Sequence, residues 1–247
     1  MKFQTLVFAG PSLTTSDMAA FAGFTFLPPI AQGDIFEAVT PNVSQIAIID
    51  GYFGDRLAIF HKEILWAMAK GIGVAGSASM GALRAAELSQ FGMKGVGRIF
   101  QSYAAGGLTS DADVAVAHGP AELGFLPTSV AQVDVDATLC SLAQRGRISR
   151  ALAARLRDVS RGIYFADRTW DRIAAESGST DAEFSVEDLA SLMAGSHIEQ
   201  KRLDALELLE WLRDKDAPCA TERVHRFAPP MTSVFQRTLK RARRAMG

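Results

Sequence analysis

The chain has 247 residues, of which 48% are apolar and 21% are charged, and its formal net charge is −1. This composition is close to the globular average and excludes a disordered or collagen-like chain. The small net charge gives no overall attraction to nucleic acid or to an anionic membrane, and two cysteines are too few for a disulfide framework.

No segment has the pattern of a targeting or membrane-spanning element. The N-terminal apolar run is short and ends at Gly10-Pro11, whereas a signal peptide needs a longer run followed by a cleavage site. No window reaches the roughly 20 apolar residues that a membrane helix needs. We therefore expect a soluble, cytoplasmic protein without a membrane partner.

The first half of the chain alternates short apolar runs with helical patterns. Strands are predicted over residues 5–9, 24–27, 46–51 and 72–75. Helices are predicted over residues 14–21, where Thr14 and Asp17 form a capping box, and over residues 31–39, 56–70 and 80–91. Strands that are apolar on both faces and alternate with helices indicate an α/β fold, with a mostly parallel sheet covered by helices.

The second half has a different pattern. Residues 92–107 are rich in glycine and are expected to be irregular or broken helix. After residue 135 the chain is predicted to be largely helical, over residues 137–144, 147–161 and a long helix from 186 to 215. We expect the apolar stripe of that helix to pack against the α/β core or a partner helix; the stripe consists of Ile198, Leu203, Leu206, Leu209 and Leu212.

Two regions follow from these patterns. We predict an α/β core over residues 1–120 that carries the candidate site, and a mainly helical region over residues 121–247 with a packing or partner-binding role. The last eleven residues, 237–247, contain five basic residues and no acid. Such a tail can bind nucleic acid, but a solvated helix end is the favoured interpretation and we infer no nucleic-acid binding.

The run from Gly76 to Gly81 is the richest in candidate chemistry. It joins a predicted strand to a predicted helix, so that Ser79 would present its hydroxyl at the carboxyl edge of the sheet, where the loops 10–12 and 50–51 also lie. The amides of Met80 and Gly81 could then stabilise an oxyanion. The run fits the G-x-S-x-G pattern only in part, and from spacing alone a helix cap is the favoured role of Ser79.

A serine nucleophile needs a base. Lys62 is a candidate, because a lysine in a buried or cationic setting can deprotonate a serine; an ordinary solvated lysine is the alternative. Two turns of the predicted helix separate Lys62 from the end of the preceding strand. Glu63 lies about 100° further round the helix, so its side chain is not expected to point in the same direction as that of Lys62. Histidine is the commonest base, and the chain offers His61, His118, His197 and His225.

No metal or cofactor is predicted. Asp111, Asp113 and His118 match no specific metal-ligand spacing, and a turn with helix-capping aspartates is the favoured interpretation. The sequence has no P-loop, and the loop Gly10-Pro11-Ser12 lacks the G-x-G-x-x-G fingerprint of a dinucleotide site. A phosphate-binding role of the loop Gly10-Pro11-Ser12 stays open as a minor alternative.

Several segments, taken together and in this order, resemble the TfuA family, named from trifolitoxin biosynthesis. They are Val7-Phe8-Ala9-Gly10-Pro11-Ser12-Leu13, Ile48-Ile49-Asp50-Gly51, His61-Lys62-Glu63-Ile64-Leu65 and Ser79-Met80-Gly81-Ala82-Leu83-Arg84-Ala85-Ala86-Glu87-Leu88. Residues 92–97 and 111–118 add further matches. The resemblance covers about residues 5–119.

The resemblance implies a helper of YcaO-type enzymes, which activate peptide backbone amides with ATP so that sulfur replaces oxygen. TfuA-like proteins are understood to use a serine and a lysine to release sulfide from a ThiS-like carrier that ends in a thiocarboxylate. They are also understood to strengthen the binding of the precursor peptide by the YcaO-type enzyme. By motif, these residues correspond to Ser79 and Lys62, with Ser77 as an alternative nucleophile. Arg84 would supply positive potential for the anionic thiocarboxylate.

The resemblance also implies a narrow slot, because the tail of such a carrier is thin. The glycines expected to line it are Gly10, Gly51, Gly76 and Gly81, and the other residues expected to bind the substrate there are Pro11, Ser12, Asp50, Ser77 and Arg84. The expected function is therefore that of a Ser-Lys hydrolase acting on a carrier thiocarboxylate. The alternative is a non-catalytic adaptor that binds the YcaO-type enzyme and its peptide.

Overall fold

The computed structural model of the protein describes residues 4–54, 56–178, 184–214 and 236–237. The chain divides into two compact units, the first drawn from residues 1–108 and 202–247 and the second from residues 109–201. The assignment of a site-bearing region up to residue 120 and a partner-binding region beyond it stays a prediction. Of the helices in these described ranges, none combines the length and apolarity needed to cross a bilayer.

The first unit is built on a five-stranded sheet in which every neighbouring pair is parallel. The strands are β1 (Gln4–Phe8), β2 (Thr25–Leu27), β3 (Val43–Ile48), β4 (Gly73–Gly76) and β5 (Lys94–Gly95), in the spatial order β2-β1-β3-β4-β5. The order changes direction between β1 and β3, and doubly wound sheets bind their ligands at the carboxyl ends of the strands beside such a point. The predicted α/β class is confirmed.

Five short helices follow the strands of this unit. They are α1 (Thr15–Ala20), α2 (Asp34–Ala38), α3 (His61–Ala69), α4 (Met80–Leu88) and α5 (Arg98–Ala104). The capping box predicted for α1 is present, with Thr14 and Asp17 bonding each other's amides. The prediction that α3 begins near residue 56 is wrong, because the Leu57 carbonyl accepts from the amide of Gln32 instead of continuing a helix.

The second unit is helical. Its helices are α6 (Gln132–Gln144), α7 (Arg150–Gly162), α8 (Trp170–Glu176) and α9 (Val186–Gly195), and they enclose their own apolar core, in which Leu139, Leu156 and Ile173 are fully buried. The last helix, α10 (Gln200–Arg213), belongs to the first unit except for its first two residues.

The single helix predicted over residues 186–215 is wrong. It is two helices, because the chain leaves α9 at Gly195 and the amide of Ile198 donates to the hydroxyl of Thr138 instead of to a helical carbonyl. The residues that form the buried face of α10 also differ in part from the predicted apolar stripe. Leu209 and Leu212 are buried as expected, but Leu203 is 51% exposed and Leu208 is buried in addition.

Alternate residues of the strands face the two sides of the sheet, as the pleat requires. On one side Leu6, Ile46 and Val74 pack with side chains of α3 and α4. On the other side Val7 and Ala75 pack with α10, together with further strand and helix residues, namely Ala9, Ala47, Ile49, Ala205, Leu208, Leu209 and Leu212. The expectation that the predicted stripe packs on the α/β core is thus confirmed for Leu206, Leu209 and Leu212.

Candidate active site at the carboxyl edge of the sheet

The loops after β1 and β3 are joined by the carboxylate of Asp50, which is 1% exposed. Its Oδ2 atom accepts from the amides of Gly10 at 2.8 Å and Ser12 at 3.0 Å, and its Oδ1 atom accepts from the Ser12 hydroxyl at 2.6 Å. Pro11 has no N–H. The donors of this loop are therefore directed at a carboxylate of the protein itself, which contradicts the phosphate-binding alternative.

Three of the predicted slot glycines are required by close packing. A Cβ atom on Gly81 would lie 1.7 Å from the carbonyl oxygen of Ile48, and one on Gly76 would lie 2.1 Å from the carbonyl oxygen of Gly81. At Gly51 a Cβ atom would lie 2.8 Å from the Cγ atom of Met80. The start of α4 thus lies directly against the ends of β3 and β4. Lining a slot is not needed to explain these glycines, and that role stays a prediction.

Ser77 has a structural role. Its side chain is fully buried, and its hydroxyl lies 2.8 Å from each of two carbonyl oxygens, those of Val96 and Asp204. These contacts join the end of β4 to the loop after β5 and to α10. A hydroxyl directed at two carbonyls is a poor candidate for attack on a substrate, so the geometry favours Ser79 over Ser77 as a nucleophile.

Ser79 lies at the N-cap of α4 and is 2% exposed. Its side chain makes no capping hydrogen bond to the helix, so the interpretation of Ser79 as a helix cap is wrong. The preceding residue, Ala78, has a φ of +63°, a region that L-residues other than glycine adopt at a cost of about 1–3 kcal/mol. The Ser79 amide donates to the Ser77 carbonyl at 2.8 Å, which makes residues 77–79 a tight γ-turn of the rare, strained kind.

The backbone amides of Met80 and Gly81, both predicted to stabilise an oxyanion, differ in their hydrogen bonding. The Gly81 amide donates to the Ile49 carbonyl at 3.2 Å, so it is directed at the end of β3, and the prediction that it is open to an oxyanion is wrong. Met80 is the first residue of α4, where helix geometry leaves the backbone amide without an acceptor in its own helix. The Met80 amide keeps its predicted role as a proposal.

Lys62 is closer to the edge of the sheet than the sequence indicated. Because α3 begins at His61, Lys62 lies in the first turn of its helix and is half-buried. In a β-α-β unit the helix begins at the carboxyl edge of the parallel sheet. The first turn of α3 and the first turn of α4 are therefore on the same edge, which is the placement that a pair of Lys62 and Ser79 requires. Proton transfer between them stays a prediction.

Arg84 and His61 share one carboxylate. Both the Arg84 guanidinium and the His61 ring lie 2.7 Å from the Oε2 atom of Glu87. Burial acts to raise the pKa of Glu87, but the hydrogen bonds from His61 and Arg84 together lower it. The Arg84 side chain is 12% exposed, and its buried Nε atom has no hydrogen-bond partner among the described residues. Part of the positive potential predicted for Arg84 is thus offset by Glu87.

Glu63 is the residue at this edge that sequence reasoning missed. It is fully buried, and its Oε2 atom accepts from the amide of Gly33 at 2.8 Å. Burial raises the pKa of Glu63 to about 8, against the lowering effect of backbone hydrogen bonds from Gly33 and Phe60. A glutamate in the first turn of a helix is ordinarily solvated, so no local pattern in the sequence distinguishes this one.

The acidic cluster of the second unit is a turn, as predicted. Asp111–Asp113 forms a short 3-10 helix that begins with a capping box between Ser110 and Asp113. The Nδ1 atom of His118 lies 2.8 Å from the Gly119 carbonyl oxygen. Within the ranges that the structure describes, no group of three or more His, Cys, Asp or Glu side chains is placed to hold a metal ion.

The fold and the site define a doubly wound α/β protein with a buried serine at a strained strand-to-helix turn. Residues 50–169 match the family model described as TfuA-like protein. This match confirms the resemblance to the TfuA family found in the sequence. The match extends about 50 residues beyond the segment in which we recognised it, into the second unit, and leaves out residues 7–13. A comparison with curated proteins finds no match.

Proposed function

We propose that the protein hydrolyses the C-terminal thiocarboxylate of a ThiS-like carrier and releases sulfide for a YcaO-type enzyme that thioamidates a peptide. The match to the TfuA-like family model supports a role as a helper in such a biosynthesis. The observation that carries the hydrolytic part is the γ-turn before Ser79, with Ala78 at a φ of +63°. Strain of this kind is concentrated at functional sites, and a sharp strand-to-helix turn is how α/β hydrolases present a serine.

In the first step the Ser79 oxygen attacks the carbonyl carbon of the thiocarboxylate, and the amine of Lys62 takes the hydroxyl proton. The new C–O bond gives a tetrahedral intermediate, whose C–S bond then breaks as Lys62 passes the proton on to sulfur, which leaves as hydrosulfide. The Met80 amide, at the positive end of α4, would stabilise the tetrahedral oxyanion.

In the second step water attacks the serine ester of the carrier. Lys62 takes a proton from that water and transfers it to the serine oxygen, and the carrier leaves as a carboxylic acid that loses its proton to solvent. The sum is one thiocarboxylate and one water converted to one carboxylate, one hydrosulfide and one proton. No oxidant or reductant is needed.

The test uses the full-length protein and a purified carrier that bears the thiocarboxylate. We expect Ser79→Ala and Lys62→Met to lower the rate of sulfide release by about 10²–10⁴-fold, the usual contribution of a nucleophile or its base. Matched controls are Ser89→Ala and Lys70→Met, at the opposite ends of the same two helices. Sulfide release by Ser79→Ala at the unchanged rate would overturn the proposal.

A second candidate function is that of an adaptor for the YcaO-type enzyme and its peptide. It is favoured by the second unit, where Leu123 and Leu126 are 66% and 65% exposed on a loop closed by the bridge between His118 and Pro127. Paired exposed leucines are typical of surfaces that bind proteins. Full support of thioamidation by Ser79→Ala, lost on Leu123→Asp, would favour the adaptor; the reverse pattern would favour the hydrolase.

A further inference from the structure

A buried acid links the helix that carries Lys62 to the helix before it. Glu63 is the third residue of α3, where an acid commonly bonds the amide of its own N-cap. Here its Oε2 atom accepts from the amide of Gly33, the N-cap of α2, at 2.8 Å, and the amide of its own N-cap, Phe60, also acts on the carboxyl group and lowers its pKa. Glu63 therefore joins the first turns of α3 and α2.

The second oxygen of this carboxyl group lacks the hydrogen bonds that would stabilise a negative charge. The Oε1 atom of Glu63 is buried and has no hydrogen-bond partner among the described residues. An ionised carboxylate left in this condition is strongly destabilised, whereas a protonated acid is tolerated far better. Burial raises the pKa of Glu63 to about 8, in agreement with this geometry.

The charges around Glu63 act in the same direction. From α2 it faces the carboxyl groups of Asp34 and Glu37, which both raise its pKa. The cations of the neighbourhood are engaged with other acids or lie on its own helix. They are Arg56, which acts on Asp34; Arg84 and His61, which bond Glu87; and Lys62. The strand packed against α3, β4, carries no charged side chain.

An uncharged Glu63 matters for the residue beside it. A carboxylate near a lysine favours the ammonium form, which cannot accept a proton from a serine. If Glu63 were ionised at neutral pH, it would oppose the role that Lys62 has in the proposed reaction. A neutral acid keeps the mechanical link to α2 without that opposing charge.

We propose that Glu63 is a positioning residue that acts as an uncharged carboxylic acid, anchoring the first turn of α3 to Gly33 and keeping negative charge away from Lys62. The anchoring and the protonation do not depend on the chemistry of the site. The effect on Lys62 rests on the proposed function.

The first experiment needs no substrate. Carbon-13 labelling of glutamate carboxyl groups in the full-length protein allows each to be titrated by NMR, and Glu63→Gln identifies the signal. We expect the Glu63 carboxyl carbon to titrate near pH 8, well above the ordinary glutamate value of about 4.3. Titration of Glu63 in the ordinary range near pH 4–5 would overturn the proposal.

The second experiment compares variants as the pH rises. Glutamine keeps an acceptor for the Gly33 amide and cannot ionise, whereas leucine removes the acceptor; Glu37→Gln is the matched control for loss of an acid in the same neighbourhood. We expect the urea midpoint of the wild type to fall between about pH 4 and pH 8, that of Glu37→Gln to fall over a somewhat narrower range because Glu37 helps to raise the pKa of Glu63, and that of Glu63→Gln to stay level. Equal pH dependence of the wild type and Glu63→Gln would contradict the proposal.

The third readout is the pH profile of sulfide release. With Glu63→Gln we expect the rate to keep rising above about pH 8, where that of the wild type levels off, and with Glu63→Leu a loss of about 10-fold at every pH. If Ser79→Ala retains full activity, the proposed function fails but the NMR titration still decides the state of Glu63. If Ser79→Ala is inactive and the profiles of wild type and Glu63→Gln coincide, the effect on Lys62 fails alone.

Discussion

The amide of Gly10 lies 2.8 Å from a carboxylate oxygen of Asp50, 40 residues further along the chain. The same carboxyl group accepts from the amide and the hydroxyl of Ser12, so that one buried acid holds the turn after β1 against the end of β3. These are the two strands between which the sheet changes direction. The loop that resembles an anion-binding site is in effect already filled by the protein's own anion.

Replacing Asp50 should destabilise the fold. Asp50→Ala removes the acceptor for three buried donors, and leaving buried donors unsatisfied costs about 1–3 kcal/mol each, so we expect a loss of about 3 kcal/mol or more in the free energy of unfolding. Urea denaturation measures it, with the exposed Asp158→Ala as the control. A loss below about 1 kcal/mol would mean that water replaces the carboxylate at little cost.

A methyl group on Gly81 should not fit. The Cβ atom of Gly81→Ala would lie 1.7 Å from the Ile48 carbonyl oxygen, so α4 must move away from β3, and we expect a loss of about 3 kcal/mol or more. Gly195→Ala is the control, because nothing lies within 4 Å of its Cβ position in α9. That change should be neutral or stabilise by up to about 1 kcal/mol. Similar thermal midpoints for the two variants would contradict the close packing.

Glycine at position 78 should relieve strain. Replacing a buried alanine by glycine generally lowers the free energy of unfolding. Ala78, however, has a φ of +63°, which glycine adopts freely. We expect Ala78→Gly to raise the free energy of unfolding by about 1 kcal/mol, the strain relieved less the entropy cost of glycine. In contrast, Ala47→Gly in β3 should lower it by about 1 kcal/mol. A loss at both positions would show that the turn stores no strain.

Low pH should remove the contribution of Asp17 to the free energy of unfolding. Its two carboxylate oxygens lie 2.8 Å and 2.7 Å from nitrogens of Arg202, and these hydrogen bonds hold the pKa of Asp17 far below its usual range. A lowered pKa means that the stabilisation is present above the unfolded value of about 3.9 and disappears as the pH falls through the folded value. Asp17→Asn should therefore lose about 1–3 kcal/mol at pH 7, and the difference should shrink below about pH 3.

The asparagine variant also has a control in the same helix pair. Arg213 lies near the C-terminal end of α10, is largely exposed, forms an ion pair with Glu210 of its own helix and has its guanidinium 5.2 Å from the centroid of the Phe21 ring. Arg213→Gln should lower the free energy of unfolding by less than about 1 kcal/mol. An equal loss at pH 7 for Asp17→Asn and Arg213→Gln would show that the Asp17–Arg202 pair has no special weight.

The sheet and the location of the candidate site could be predicted from the sequence, because apolar strands and small-residue loops leave strong local signals. The start of α3 could not. Residues 56–60 have a helical apolar spacing, but a long-range bond from Gln32 to the Leu57 carbonyl competes with the helix. The same applies to α9 and α10, which Thr138 separates by accepting from Ile198. Contacts between segments far apart in sequence decided both.

The roles of individual site residues were harder to predict. Ser77 and Ser79 have similar neighbours in sequence, and only the position of the Asp204 carbonyl shows that Ser77 is held in the interior. No local sequence pattern distinguishes Glu63, because its unusual burial results from packing against α2. Local patterns indicated which residues lie at the edge of the sheet, and tertiary packing determined what each one can do there.

Because α10 supplies one covering layer of the sheet, the first unit depends on a segment made late in synthesis. Ribosomes extend the chain from the N-terminus, so all five strands emerge well before residues 202–213 can reach Ser77 and the apolar side chains of β1, β3 and β4. The entire second unit is translated in the interval. A nascent chain therefore lacks this covering layer of its sheet until residues 202–213 have been made.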